Sequence, residues 1–357
     1  VNLRRLDYVY WSSPVANYGL NNISTTTYRY KWLPTIGTNT NGWGNWIVAN
    51  ETMVLGKGYI VRGPDSFTNT LQNYTQNFVG VPNNGIINMP ISRGTYNGAD
   101  YSTGVSTTLA TRDDDNWNLI GNPYPSAVNA NLFLAANTNI AGFIKYWTHG
   151  TLPSNVTADP FYNNYAQNYT VGDYVTYNAT GANPAIGNGN IAAGQGFFVL
   201  MNHTSAATTE NVVFNNTMRR NDYRNDLFYR DSIETNIGVG EGEKHRIWLN
   251  LKNNSGQFSQ VLVGYMNDAT NEYDFGIDGL AFGNQGSNLY SIMDVNKYAV
   301  QGRTLPFTDE DVIPLGISIV EPSAYQIEID TLDGLFLGSQ NIYLREKFII
   351  FLHFLKI

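Results

Sequence analysis

The residues that could do chemistry are few and mostly acidic or aromatic. "RDDD" at Arg112–Asp115 groups carboxylates, the oxygen ligands that Ca²⁺ takes. Neighbouring side chains of a strand point to opposite faces, so the three acids converge only in a loop. A solvated edge leading into a strand at Trp117 explains the same residues. "NEYDFGIDG" at Asn271–Gly279 sets Asp274 and Asp278 around Gly276, where a bent loop would bring both carboxylates onto one Ca²⁺, the one cofactor the sequence suggests. Asx side chains bonding their own backbone, with glycine supplying positive φ, account for that spacing as well.

Other reaction classes lack their residues. His149, His203, His245 and His353 are scattered, and none forms the H-E-x-x-H face that holds zinc. There is no G-x-S-x-G elbow, and "LGKGY" is no phosphate loop because Gly58 follows Lys57 where Ser or Thr is required. "TDEDV" at Thr308–Val312 and Glu51 supply carboxylates for a glycosidase pair, yet nothing places them together. The chain reads as non-enzymatic.

Aromatic side chains offer a different chemistry, the stacking of sugar rings on exposed faces. Trp43 in "NGWGNW", with Tyr162 and Tyr165 in a long Asn- and Tyr-rich stretch, are the candidate ligand-binding positions. Trp46, Tyr174 and Tyr177 sit in strand-like runs, where alternate aromatics face a core.

The elements that would carry these groups are strands. Charged residues make up 14% of the chain while 42% is hydrophobic and 13% aromatic, which suits short strands joined by polar turns. A net charge of -8 repels phosphate backbones and excludes nucleic acid as the expected partner. The absence of cysteine excludes disulfides and thiolate metal sites. No run of about 20 apolar residues is present to span a bilayer as a helix. The chain starts at Val1 without a Met or a signal peptide, as a processed chain or a fragment would.

An internal repeat organises the first two thirds. "DYVYWSSPV" at Asp7–Val15 aligns without a gap on "NWNLIGNPY" at Asn116–Tyr124. "YKW" at Tyr30–Trp32 matches "KYW" at Lys145–Trp147, and "GNWIVAN" at Gly44–Asn50 matches "GDYVTYN" at Gly172–Asn178. "MVLGKGYIV" at Met53–Val61 matches "IAAGQGFFV" at Ile191–Val199, and each copy closes on paired asparagines, "NFVGVPNN" and "NVVFNN". The expectation is an all-β chain of tandem β-sandwich domains, jelly-roll or Greek-key: residues 1–100, residues 113–222 with a loop insertion at 148–190, and a third at 228–357. "HRIWLNLKN", "SQVLVGYM" and "YQIEIDTL" give the third its alternating strands.

Taken together, "DDDNWNLIGNPYPSA", "IAAGQGFFV", "VVFNNTMR" and "HRIWLNLKN...GYMNDATNEYDFGIDG" resemble the C-terminal regions of large Bacteroidetes surface proteins exported by the type IX secretion system. The resemblance implies an extracellular or cell-surface, adhesin-like region. Its implied partners are the secretion machinery during export of the parent protein, and surface glycans or other surface proteins. It also implies O-glycosylation acceptors in the D-[ST]-aliphatic triplets at Ser232 and Thr331. The ending "NIYLREKFIIFLHFLKI" begins like the family's penultimate strand but lacks its final strands, so the third sandwich looks truncated and its tail is expected to pack on that domain as a strand or helix. The alternatives are a carbohydrate-binding accessory region of a secreted polysaccharide-degrading enzyme, and a structural stalk or filament subunit.

Overall fold

The computed structural model describes residues 1–35, 44–103, 109–148, 173–185, 187, 189–225, 228, 242–254, 258–281, 287–320, 322–346 and 352–356. It is 43% strand and 6% helix, an all-β protein. Two compact units divide it: Val1–Val175 with Gly189–Ile233, and Thr176–Asn188 with Glu234–Ile357.

Both copies of the repeat, expected as separate domains, lie in the first unit. Copy one forms a sheet in the order Tyr8–Trp11, Tyr59–Arg62, Arg29–Leu33, Asn45–Val48. Copy two repeats that order with Trp117–Gly121, Gly196–Met201, Ile140–Trp147 and Tyr174–Tyr177, the last carrying the chain into the second unit after Val175. The registers agree as well: Tyr10 pairs with Ile60 in one copy, and their counterparts Leu119 and Phe198 pair in the other.

The copies do not fold apart because each has two apolar faces. Tyr8–Trp11 is buried at every residue. Its period-two alternation sends Tyr8 and Tyr10 into a cluster shared with Leu119, Trp147, Tyr174 and Phe198 of copy two. Val9 and Trp11 go to the opposite side, onto Tyr18, Leu20, Met53 and Tyr59 of their own copy. In copy two the corresponding outer side receives the helix Ala130–Ala136, capped by Asn129, whose Phe133 ring packs 5.5 Å from Phe197 and 4.8 Å from Phe214. In the inner cluster Trp32 and Tyr10 meet the Phe198 ring edge-on at 5.6 and 5.5 Å, while Tyr10 stacks on Trp147 at 6.0 Å. The final strands also cross between copies, Ile87–Ser92 pairing with Thr209–Phe214 along six residues each.

The second unit is a seven-stranded sheet in the order Leu315–Ser318, Asn288–Met293, Asn296–Thr304, Phe258–Met266, Lys244–Asn253, Tyr325–Leu332, with Gly279–Leu280 also on Asn296–Thr304. Ile247, Leu249, Leu251, Val261 and Val263 line one face with Phe336. Part of the expected loop insertion belongs here. Asn178 and Asn183 donate side-chain bonds to Ile277 O at 2.7 Å and Gln260 O at 2.8 Å, and Trp248 Nε1 donates to Ala182 O at 2.9 Å. Ala182–Asn183 pairs with Thr176–Tyr177 as a strand, and these side-chain bonds tie the stretch to residues of the second unit, to which Thr176–Asn188 belongs. The tail forms a strand, Leu352–Lys356, paired with Ile342–Arg345.

Candidate functional site

The joint between the copies is the most elaborate constellation in the first unit, and three of its pairings recur in both directions. Gly121 N donates to Gly56 O at 2.9 Å, and Ser12 N, its counterpart in the other copy, donates to Gly194 O at 2.7 Å. Trp32 Nε1 donates to Trp117 O at 2.7 Å, while Trp147 Nε1 donates to Tyr8 O at 3.0 Å. Bridges join Lys57 to Ile120 and Trp11 to Gln195. Under the sequence alignment each of these pairs maps onto its fellow, so the halves are related by an approximate two-fold axis.

The G-x-G motif makes this exchange possible. Gly56 and Gly194 adopt φ of 76° and 69°, the left-handed region that a side chain disfavours. The second glycine serves close approach: a Cβ on Gly58 would lie 2.6 Å from Ile120 O, and one on Gly196 2.8 Å from Tyr10 Cβ. "WNLIGNPYPS" is the strand that receives the motif. Asn122 in it is fully buried and donates to Ser126 O, Ile191 O and Ala192 O at 2.9–3.0 Å while accepting from Tyr124 N at 3.0 Å. Asn83 Nδ2 ties the two proline turns together through Ser13 O and Pro123 O.

The carboxylates of Arg112–Asp115 do gather, in a turn against His203. Asp114 Oδ2 accepts from Thr111 N at 2.7 Å, and Asp113 Oδ1 accepts from Asn116 Nδ2 at 3.2 Å. His203 Nε2 lies 2.9 Å from Asn116 Nδ2 and 3.7 Å from Asp113 Oδ1. Burial raises all three acids and pushes Asp114 up to about 6. Their oxygens are engaged as backbone and amide acceptors, which is the work of a locked turn.

Asp274 and Asp278 are brought together as the spacing suggested, but onto backbone. Asp278 Oδ2 accepts from Asp274 N and its Oδ1 from Gly302 N, each at 2.7 Å, while Asp274 Oδ2 accepts from Thr270 N and Oγ1. Burial pushes Asp278 up to about 6. Gly276, at φ 79°, supplies the bend. Among the described residues, no group of three or more His, Cys, Asp or Glu could hold a metal ion.

Thr331 is half-buried in the Tyr325–Leu332 strand, with Oγ1 3.1 Å from Asp330 Oδ2. Trp46 and Tyr174 lie in the shared aromatic cluster, and Tyr177 is buried. Trp43, Tyr162, Tyr165 and Ser232 fall outside the described residues. Glu51 bonds Lys31 and Tyr59, whereas Asp311 bonds Arg303 and Tyr265, in different units.

Sequence reading passed over Lys145. It is fully buried, 5.4 Å from the Phe143 ring centroid and 6.0 Å from that of Trp117, and burial pushes its ammonium down to about 7. The available signal was the transposition of "YKW" into "KYW", which moves the lysine to the face that Tyr30 occupies in copy one.

These features define a duplicated all-β scaffold joined to a second sheet unit. The chain belongs to the family described as Domain of unknown function (DUF8693), whose model matches residues 1–357. No curated protein and no solved structure matches the chain.

Proposed function

We propose that the chain is a non-catalytic, adhesin-like region of a cell-surface or secreted Bacteroidetes protein, exported through the type IX secretion system, with its repeats built as jelly-roll or Greek-key sandwiches. The supporting observation is the reciprocal joint. The motifs that the two copies share are consumed in holding one copy against the other, which leaves the loops that differ between them to carry recognition. Tandem, rigidly held modules of this kind extend reach and multiply contacts without new chemistry.

Antibody labelling of intact cells of the native host tests the location. Surface signal that disappears in a strain lacking the type IX channel supports the proposal, and retention of the protein in the cytoplasm sinks it. Recognition is tested on a glycan array with the intact chain and its Trp43→Ala, Tyr162→Ala and Tyr165→Ala variants. Binding lost in those variants assigns the aromatic loops to sugar, while no binding by the intact chain removes glycans as the ligand.

A further inference from the structure

Asn84 and Gly85 lie where the paired asparagines of the two copies meet, and their surroundings resemble a small reaction site. Asn84 is exposed, and Gly85 takes φ 82° with nothing within 4 Å of where a Cβ would stand. The Gly85 N–H donates to Asn216 Oδ1 at 3.3 Å. Arg219 Nη1 donates to Asn84 Oδ1 at 3.3 Å and to Asn216 Oδ1 at 2.9 Å. The same guanidinium is held over the Tyr124 ring at 4.3 Å and by Ser126 Oγ at 2.8 Å, and Tyr124 OH fixes Gly85 O at 2.5 Å.

Each contact favours one half of an intramolecular acyl transfer. A cation on Asn84 Oδ1 draws electron density from the side-chain carbonyl carbon and stabilises the negative charge that grows on that oxygen during attack. An acceptor on the Gly85 N–H polarises the attacking nitrogen. Absence of a side chain at Gly85 removes the steric barrier to ring closure.

We infer that Asn84–Gly85 is a self-modifying site, at which the chain converts Asn84 to aspartate or isoaspartate with assistance from Arg219 and Asn216. Gly85 N forms a bond to Asn84 Cγ and loses its proton to solvent base. The Cγ–Nδ2 bond breaks and the nitrogen leaves as ammonia. Water then opens the five-membered imide at either carbonyl, giving the α- or β-linked acid. The new carboxylate lies beside the Arg219 guanidinium, which pairs with it and favours the product. This chemistry is independent of where the protein resides.

The test incubates the full chain in mildly alkaline buffer and follows the Asn84 peptide by mass spectrometry, scoring amide-to-acid conversion and the isoaspartate fraction. Asn97–Gly98, exposed in the same chain, is the internal reference, read in an Arg112→Ala background because Arg112 Nη1 otherwise donates to Asn97 Oδ1 at 3.3 Å. Conversion at Asn84 is expected to run about tenfold faster than at Asn97, less than the roughly 10²–10³ of a buried oxyanion donor because solvent screens the half-buried Arg219 cation. Arg219→Gln and, separately, Asn216→Ser should each bring Asn84 to the Asn97 rate and leave Asn97 unchanged. Thermal melting of both variants shows whether the fold survives, and Asn84→Gln should abolish the product. Conversion at Asn84 no faster than at Asn97 overturns the inference, since the hydrogen bonds would then protect the amide. A rate that neither variant lowers, in a folded chain, overturns it too.

Discussion

The two copies of the repeat solve one problem with different residues, and the contrast separates what the scaffold requires from what it tolerates. Copy one meets its outer face with the short turn Leu20–Asn22 and flanking loops, while copy two uses the helix Ala130–Ala136. Copy one holds its first turn with Ser13, copy two with Asn122. Strand order, register, the G-x-G turn and the tryptophan donating to the opposite strand are the same in both. The invariant set includes the bonds that cross between copies in both directions. A module that must close against its twin is constrained at the joint and free on its outer side.

The sharpest way to break that comparison is to cut the shared core from either side. Phe198→Ala removes a ring that copy one packs against and should cost about 3–5 kcal/mol, while Ile60→Ala, at the equivalent position, should cost about 2–5 kcal/mol. Each is expected to lower one common transition, with amide protection lost in both copies during hydrogen exchange. If Ile60→Ala loosens only residues 1–100, the copies are independent domains and the joint is a mere contact.

A smaller effect comes from the second glycine of the motif. Gly58→Ala and Gly196→Ala each place a methyl against the other copy's first strand, at 2.6 Å from Ile120 O and 2.8 Å from Tyr10 Cβ. Overpacking of this kind costs about 1–3 kcal/mol, and the approximate two-fold axis requires the two losses to be similar in chemical denaturation. A loss confined to one copy would show that the symmetry of the bonds does not extend to their energies.

The repeat itself was legible in the sequence because G-[KQ]-G-aromatic and the proline turn survive in both copies. That the copies would share a core was not legible. An alignment says which residues are equivalent, not which copy each one closes against, and a strand buried on both faces, such as "YVYW", gives no polar alternation to show that it has two partners. The end of the insertion was misplaced for a related reason. Asn178 and Asn183 look like loop residues until the carbonyls they satisfy are known. Asp274 and Asp278 were legible as a pair because D-x-G-x-D is a turn signal whichever ligand fills it.

The turn residues set a finer test. Asn122→Ala strips two buried carbonyls and the half-buried Ser126 carbonyl of a donor and should cost about 2 kcal/mol, whereas Ser13→Ala loses only local bonds with Val15 and should cost about 1 kcal/mol or less. Restoring Asn at the copy-one position, by Ser13→Asn, would then show in thermal melts whether copy one can use what copy two needs. No gain is expected, because the Ser13 hydroxyl already closes its own turn, donating to Val15 O and accepting from Val15 N.

Charge gives the smallest and most informative contrast. Copy one keeps Lys31 on its outer side, paired with Glu51, whose carboxyl burial raises but hydrogen bonds from Lys31 and Tyr59 hold below its usual range. That pairing stabilises the fold above the ordinary glutamate range and fades as acid protonates Glu51. Copy two has its lysine one position earlier, at Lys145, where it turns inward. With Lys145 near 7 in the fold against 10.5 when unfolded, the unfolded chain holds a proton that the folded chain does not, so stability rises from about pH 7 toward 10. Asp114, near 6 in the fold against 3.8, acts in the opposite sense: the folded chain holds the extra proton, and stability falls as pH rises from about 4 through 6. Asp278 adds to that fall from the second unit. The stability curve should therefore sag between about pH 6 and 7, measured as the denaturant midpoint in a pH series. Lys145→Met should lessen the alkaline limb, leaving the part that Lys57, also lowered by burial, contributes in copy one, and Asp114→Asn should lessen the acidic slope while keeping the oxygen that Thr111 N needs. A Lys145→Met curve that climbs above pH 7 as steeply as that of the unsubstituted chain would mean that the transposed lysine is not what distinguishes the two copies.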